Sequence, residues 1–283
     1  MNLSQSELPD TQPRRTLVAV DLGEFSEKVI SYLFLLTRDI LSEYTIFHCL
    51  EGTIDEKQAR EKIDKILVQA RNYLNKSVKS SIKIHIAHND LLEELQLLHA
   101  KENFGTVFTG ATNKPDSWRL GPNAQAIMMN ISAGIVIVPP NVDLSFPSNI
   151  SILVEKVQKS SFSFLHTFHE FVSHYGIFLN FVLFAKDKQE LEEERRLIEE
   201  YQDFFDSTIT FNFIVEQEQT HINFLRYIEG IHCEAAVMAW HETTTAFLSA
   251  KQTGIIYCSP KLPILYIKKK TIPDKDQVLF KEI

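Results

Sequence analysis

The chain has 283 residues, 44% of them apolar, enough for one large domain or two ordinary ones with full cores. Its formal net charge of −8 disfavours a nucleic-acid binder that relies on Lys and Arg contacts to phosphate. No apolar run reaches the ~18 residues of a membrane span. The three cysteines (Cys49, Cys233, Cys258) lack C-x-x-C spacing and read as buried thiols, with neither a metal site nor a disulfide expected.

Residues 1–14 are polar, contain Pro9 and Pro13, and lack an apolar signal core. They read as a disordered tail on a cytoplasmic protein. Thr16–Val20 is a β-branched apolar run ending at Asp21-Leu22-Gly23, a buried strand and its turn. Ser26-Glu27 opens a helix with Val29, Leu33, Leu36 and Ile40 at helical spacing. Thr45–Cys49 is the next strand. Asp55–Val78 reads as a long amphipathic helix, with Ile63, Ile66, Leu67, Ala70, Tyr73 and Leu74 on one face. Ile82–Ala87 is a strand, His88-Asn89-Asp90 a turn and Leu91–Ala100 a helix. Thr106–Thr109, Ala124–Ile131 and Ile135–Val138 complete the half as strand, helix and strand. This alternation predicts a parallel sheet with helices on both faces and right-handed crossovers.

Pro139, Pro140 and Pro147 mark a linker, and the same order of elements then repeats. Strands are predicted at Ile150–Val154, Ile177–Phe184, Ile209–Val215, Ala235–Ala239 and Leu262–Ile267. Helices are predicted at Phe162–Tyr175, Leu191–Phe205 and Ile222–Ile228, with a polar loop after Ala239. The expected division is a domain at 15–140, a linker at 141–149, a second domain at 150–268 and a tail at 269–283.

Four stretches of the first half carry a family resemblance. They are Thr16–Asp21 with Glu24-Phe25-Ser26, then Thr106–Gly110, then Gly121–Gln125, then Ala133–Val138. In order and spacing they resemble the motifs of the universal stress protein family, and the whole chain is similar to its tandem members. The second half matches by pattern alone. The resemblance implies two Rossmann-like domains of the adenine nucleotide alpha hydrolase type. Each would be a five-stranded parallel sheet of order 3-2-1-4-5. It further implies that closing strands, which would lie at sheet edges, pair between domains. A homodimer is a further assembly that it suggests.

In ATP-binding members the nucleotide lies at the carboxyl ends of strands one and four. Carried over, this implies Val20, Asp21, Gly110, Asn113, Gly121 and Asn123 as nucleotide-binding residues, for ATP or AMP. Phosphate requires close backbone approach, hence glycines, and a free helix N-terminus. Asp21, Gly110 and Gly121 are retained. Asn113 stands at the second loop glycine, the spacer to Gly121 is shorter than the family's, and Pro122 replaces a serine. Asp116 adds negative charge, with Lys114 and Arg119 to offset it. In the second half Glu155 corresponds to Asp21, and Trp240 is expected at the place of Gly110, filling the phosphate's volume. Only Gly176, Gly230 and Gly254 follow the linker. Any nucleotide is therefore expected once per chain, in the first half.

Other candidates read as structural. His166, Glu170 and His174, with His169 beside them, have metal-compatible spacing but lie opposite the apolar face of their helix. His88-Asn89-Asp90 and His241-Glu242 sit at the functional edge without a nucleophile motif, and read as loop polarity and helix capping. The 190–200 run reads as a solvated helix face. Lys268-Lys269-Lys270 is too short for a nucleic-acid or membrane patch. The sequence thus predicts a non-enzymatic regulatory or interaction protein of the stress response with degenerate nucleotide sites. The alternatives are a sensor of ATP or AMP, or a weak nucleotide hydrolase. The partner is an unidentified protein or small molecule.

Overall fold

Leu17 and Val18 point to opposite faces of the first strand, and both are fully buried. Only a sheet covered on both sides buries successive residues in this way. The computed structural model describes residues 13–50, 55–112, 114–154, 175–185, 187–199, 209–215, 221–240 and 244–268. The first half runs β1 (Arg14–Ala19), α1 (Ser26–Leu36), β2 (Ser42–Cys49), α2 (Glu56–Ala70), β3 (Ser81–Ala87), α3 (Leu91–Glu102), β4 (Thr106–Gly110), α4 (Pro122–Asn130) and β5 (Gly134–Val138). The second runs β6 (Asn149–Val154), β7 (Phe178–Ala185), α5 (Lys188–Glu199), β8 (Ile209–Val215), α6 (His221–Gly230), β9 (Ala235–Ala239), α7 (Thr245–Thr253) and β10 (Ile264–Ile267). Residues 1–12 and 269–283 of the predicted tails, the helix positions His166, Glu170 and His174, and Glu155 lie outside the described residues; Arg14, expected in the first tail, instead opens β1.

All strands join one ten-stranded sheet, β3-β2-β1-β4-β5-β10-β9-β6-β7-β8. Each half has the predicted order 3-2-1-4-5, with parallel pairing inside it. The closing strands pair between the halves, as the resemblance implies, and so join the two five-stranded sheets into one. β5 and β10 pair antiparallel at its centre, with Ile264 opposite Ile137 and Tyr266 opposite Ile135. The closing strands therefore cover each other within one chain, and their edges are not open to a second copy.

The two faces are filled differently. α1 and α2 place Val29, Leu33, Ile63 and Leu67 against Val18, Ile46, Phe108 and Val136. On the other face Leu95, Ile127, Phe224 and Ala250 join one cluster with Leu17, Ile135, Ile264 and Met238. That cluster crosses the β5–β10 junction, so the halves share a core on this side. Glu234 fastens the chain entering β6, accepting from Ser148 N at 2.5 Å, Ser148 Oγ at 2.9 Å and Asn149 N at 3.2 Å.

Two sequence expectations need correction. The second helix ends at Ala70 and, after a 3-10 turn at Arg71–Tyr73, Leu74 is extended, well short of Val78. Asn75 stops continuation, because its carboxamide accepts from Ser77 N at 3.0 Å and donates to Asp39 at 2.7 Å. The stretch after Ala239 read as a loop also contains the helix α7. Thr244 caps it, accepting from Phe247 N, and Gly254 ends it at a φ of 67°.

Candidate functional site

The strand order reverses between β1 and β4, and a crevice opens at their carboxyl ends. There the first half encloses a cavity of about 490 Å³. Asp21, His48, Gly110, Lys114, Gly121 and Asn123 are among the residues that line it. Of the six predicted residues, Val20, Asp21, Gly110, Gly121 and Asn123 come together at this cavity. Asn113 lies outside the described residues.

The site is built from short local devices. Asp21 Oδ1 accepts from Gly23 N at 2.8 Å and Ser26 Oγ at 3.0 Å, shaping the turn from β1 into α1. Leu22 takes a left-handed φ of 58° in that turn. His48 Nδ1 donates to the Val20 carbonyl at 2.9 Å, which ties the end of β2 to β1. Sequence reasoning passed over His48, although its place near the end of a strand at the crevice edge marks it.

The two glycines act differently. A Cβ on Gly121 would lie 3.2 Å from the Ala111 carbonyl, and Gly121 N donates to that same oxygen at 2.7 Å. The chain crosses itself so closely here that a side chain would press on backbone, which would have to give by a few tenths of an ångström. A Cβ on Gly110 would meet Val29 Cγ2 at 3.5 Å, an ordinary contact. Gly110 therefore leaves room rather than permitting a turn. Gly121 is also the N-cap of α4, with Pro122 at the first helical position and no side-chain cap. The open N-terminal end of α4 faces the cavity through Pro122, Asn123 and Ala124. Lys114 adds a cation to the lining, while Asp116 and Arg119 do not line it.

Among its described residues, the second half is built differently at the corresponding place. Ala111 N donates to Val138 O at 2.8 Å, and Trp240 N donates to Ile267 O at 2.9 Å. Val138 and Ile267 each end a closing strand. Trp240 is thus the counterpart of Ala111, and Ala239 that of Gly110. This corrects the expected pairing of Trp240 with Gly110 by one residue; Ala-Ala-Val-Met-Ala in β9 has no glycine to fix the alignment. Trp240 is buried against Phe247 and Tyr266, with ring centroids 5.5 Å away in each case. Five residues, 240–244, join β9 to α7, where eleven, Ala111–Gly121, join β4 to α4. Thr244 also caps α7 with its own side chain.

The remaining candidates resolve into local roles. Asp90 caps α3 through Leu92 N and Glu93 N. Asn89 donates to Glu94 at 2.6 Å, and His88 lies 3.3 Å from Glu56. His241 and Glu242 lie outside the described residues. Among the described residues, no three His, Cys, Asp or Glu side chains gather as a metal site, and no helix is long and apolar enough to cross a membrane. All three cysteines are buried, and no disulfide joins them.

A chain of this strand order, with its cavity at the switch point, has solved counterparts. A universal stress protein from Archaeoglobus fulgidus superposes with a TM-score of 0.65, covering 91% of this chain and 97% of its own at 17% identity. The chain has the universal stress protein fold. A functionally unknown protein from Pseudomonas aeruginosa shares this fold at a TM-score of 0.61 and 14% identity, over 90% of this chain and 92% of its own. So does the cytoplasmic domain of a prokaryotic cation chloride cotransporter, at a TM-score of 0.55 and 10% identity, over 90% of this chain and 95% of its own. No protein-family model and no curated protein matches the sequence. The universal-stress fold accounts for the order of the elements.

Proposed function

We propose that this chain is a non-enzymatic regulatory protein of the universal-stress type, acting in the cytoplasm. In this reading it senses an adenine nucleotide, AMP or ATP, in the cavity of its first half. The observation that carries the proposal is the contrast between the halves. One switch point has a 490 Å³ cavity beside an uncapped helix N-terminus. The other has a buried indole and a helix capped by its own threonine. The volume is within the roughly 300–1,000 Å³ of small-molecule sites.

The residues fit such a ligand in kind. Val20 and Asp21 would face the base and ribose; Gly110, Gly121, Asn123 and Lys114 would face the phosphate. The nucleotide would bring negative charge to the α4 N-terminus, where backbone N–H groups favour it. Isothermal titration of the purified protein with AMP and ATP tests the reading, together with mass spectrometry of small molecules that survive native purification. Micromolar binding that Lys114→Glu weakens is the expected result, and absence of binding overturns it.

Two observations favour a second reading, a protein-interaction module without a ligand. Pro122 removes a donor from the first turn of α4, and Asp21 Oδ1 is already engaged by Gly23 and Ser26. Under that reading neither nucleotide binds and nothing is carried through purification.

A further inference from the structure

The loop that lines the cavity does not stand alone. Its segment Trp118–Leu120 runs antiparallel to Ile256–Cys258 of the second half. Leu120 N donates to Ile256 O at 2.9 Å, and Cys258 N donates to Trp118 O at 2.9 Å. Arg119 and Tyr257 are the bridged pair between them. One helical turn further on, Gln125 Nε2 donates to Gly254 O at 2.6 Å. The bridge lies directly before Gly121, the residue that sets the start of α4 and lines the cavity.

Loop lengths are matched across this contact. The first half is long between β4 and α4, with eleven residues, and short between α4 and β5, with three. The second half is the reverse, with five residues between β9 and α7 and ten between α7 and β10. The extra length in one half meets the extra length in the other. The second-half segment is itself held from behind: the Tyr266 hydroxyl donates to Tyr257 O at 3.1 Å and bonds to His221 Nε2 at 3.1 Å.

We propose that the second half is the positioning element of the first-half site. Its segment 254–258 fixes the loop 111–121 and thereby the N-terminal end of α4 at the cavity. Gln125 and Tyr266 are positioning residues in this scheme: one ties α4 to the segment, and the other holds the segment in place. The coupling is reciprocal, so a ligand that orders the loop also protects 254–258. As a statement about ligand affinity the inference rests on the nucleotide reading above; as a statement about the loop it does not.

The test uses the full chain, with hydrogen–deuterium exchange read by mass spectrometry and AMP as the probe. Gln125→Ala, Tyr266→Phe and Cys258→Pro remove successive parts of the contact. The expected result is faster exchange in 111–121 in all three, with β1 and β2 as protected as in the wild type. AMP affinity falls about three- to tenfold in Gln125→Ala, the loss of one hydrogen bond, and AMP slows exchange at 254–258 in the wild type. Unchanged exchange in 111–121 for Gln125→Ala and Tyr266→Phe overturns the proposal, even if Cys258→Pro fails to fold. Unchanged AMP affinity with a loosened loop also overturns it as a positioning role. If the wild type binds no AMP, the nucleotide reading falls, and the exchange in 111–121 still decides whether the second half holds the loop.

Discussion

Tyr266 and His221 share a buried hydrogen bond of 3.1 Å. The tyrosine's one proton goes to the Tyr257 carbonyl, so His221 Nε2 carries its own hydrogen and donates to the tyrosine oxygen. Burial drives the His221 pKa down from 6.5 to about 3, which keeps the imidazole neutral at pH 7.

The first prediction follows from that sign. A folded-state pKa below the unfolded value makes acid destabilising. The contribution of neutral His221 is fully present above pH 6.5. It falls as the pH drops toward 3, by roughly 1.4 kcal/mol per unit. Between pH 7.5 and 5.0 the wild type should lose about 2 kcal/mol more than His221→Phe. Urea denaturation of both proteins at the two values measures the difference, and equal losses contradict it.

A second prediction concerns the indole of Trp240. It is buried, and its Nε1–H finds no hydrogen-bond partner among the described residues. Trp240→Ala leaves a large void and should cost about 3–5 kcal/mol. Trp240→Phe keeps most of the ring volume and removes an unpaired donor. Its cost should stay below about 1.5 kcal/mol, because the desolvation penalty of the orphan group offsets the lost volume. Chemical denaturation of the two variants separates these outcomes.

Gly121 and Gly110 should respond differently to one methyl group. In Gly121→Ala the new Cβ lies 3.2 Å from the Ala111 carbonyl and presses on the crossing that sets α4. A stability loss of about 1–3 kcal/mol and at least a several-fold weaker AMP affinity are expected. In Gly110→Ala the contact with Val29 is 3.5 Å, and stability should change by less than about 1 kcal/mol. Calorimetric titration and thermal melts of both variants check the pair.

Removing the second half should expose β5. Residues 13–140 alone retain Gly134–Val138 as an apolar edge strand with no partner on its outer side. Such an edge recruits another chain. Light scattering after gel filtration should find concentration-dependent association of this fragment; a monomer at every concentration contradicts the expectation.

Much of the fold was legible because the strands are short apolar runs punctuated by turn residues, and the halves repeat. The order 3-2-1-4-5 came from resemblance and holds in both halves. The helix α7 was missed because Thr-Thr-Thr-Ala-Phe-Leu-Ser-Ala reads as polar and short, although Thr244 and Gly254 bracket it with cap signals. Among the predicted site residues, Asp21 and Gly121 were located through the resemblance, and the structure gives each a local backbone role. His48 was passed over although it stands near the end of a strand at the crevice edge, because its bond to Val20 depends on β2 lying beside β1. Pairing of Trp118–Leu120 with Ile256–Cys258 is set by tertiary placement alone, over a separation no periodicity reports.

The antiparallel junction of β5 and β10 has a kinetic consequence. Ten residues, 139–148, connect β5 to β6, so the two halves meet as an intramolecular event at a fixed effective concentration. Two separate subunits joined by the same strands would come apart on dilution, and their ligand response would track expression level. In a single chain the ratio of the two halves is always one to one and their pairing does not depend on abundance. One half is then free to diverge from its sister, because it never competes with an identical copy for the same edge.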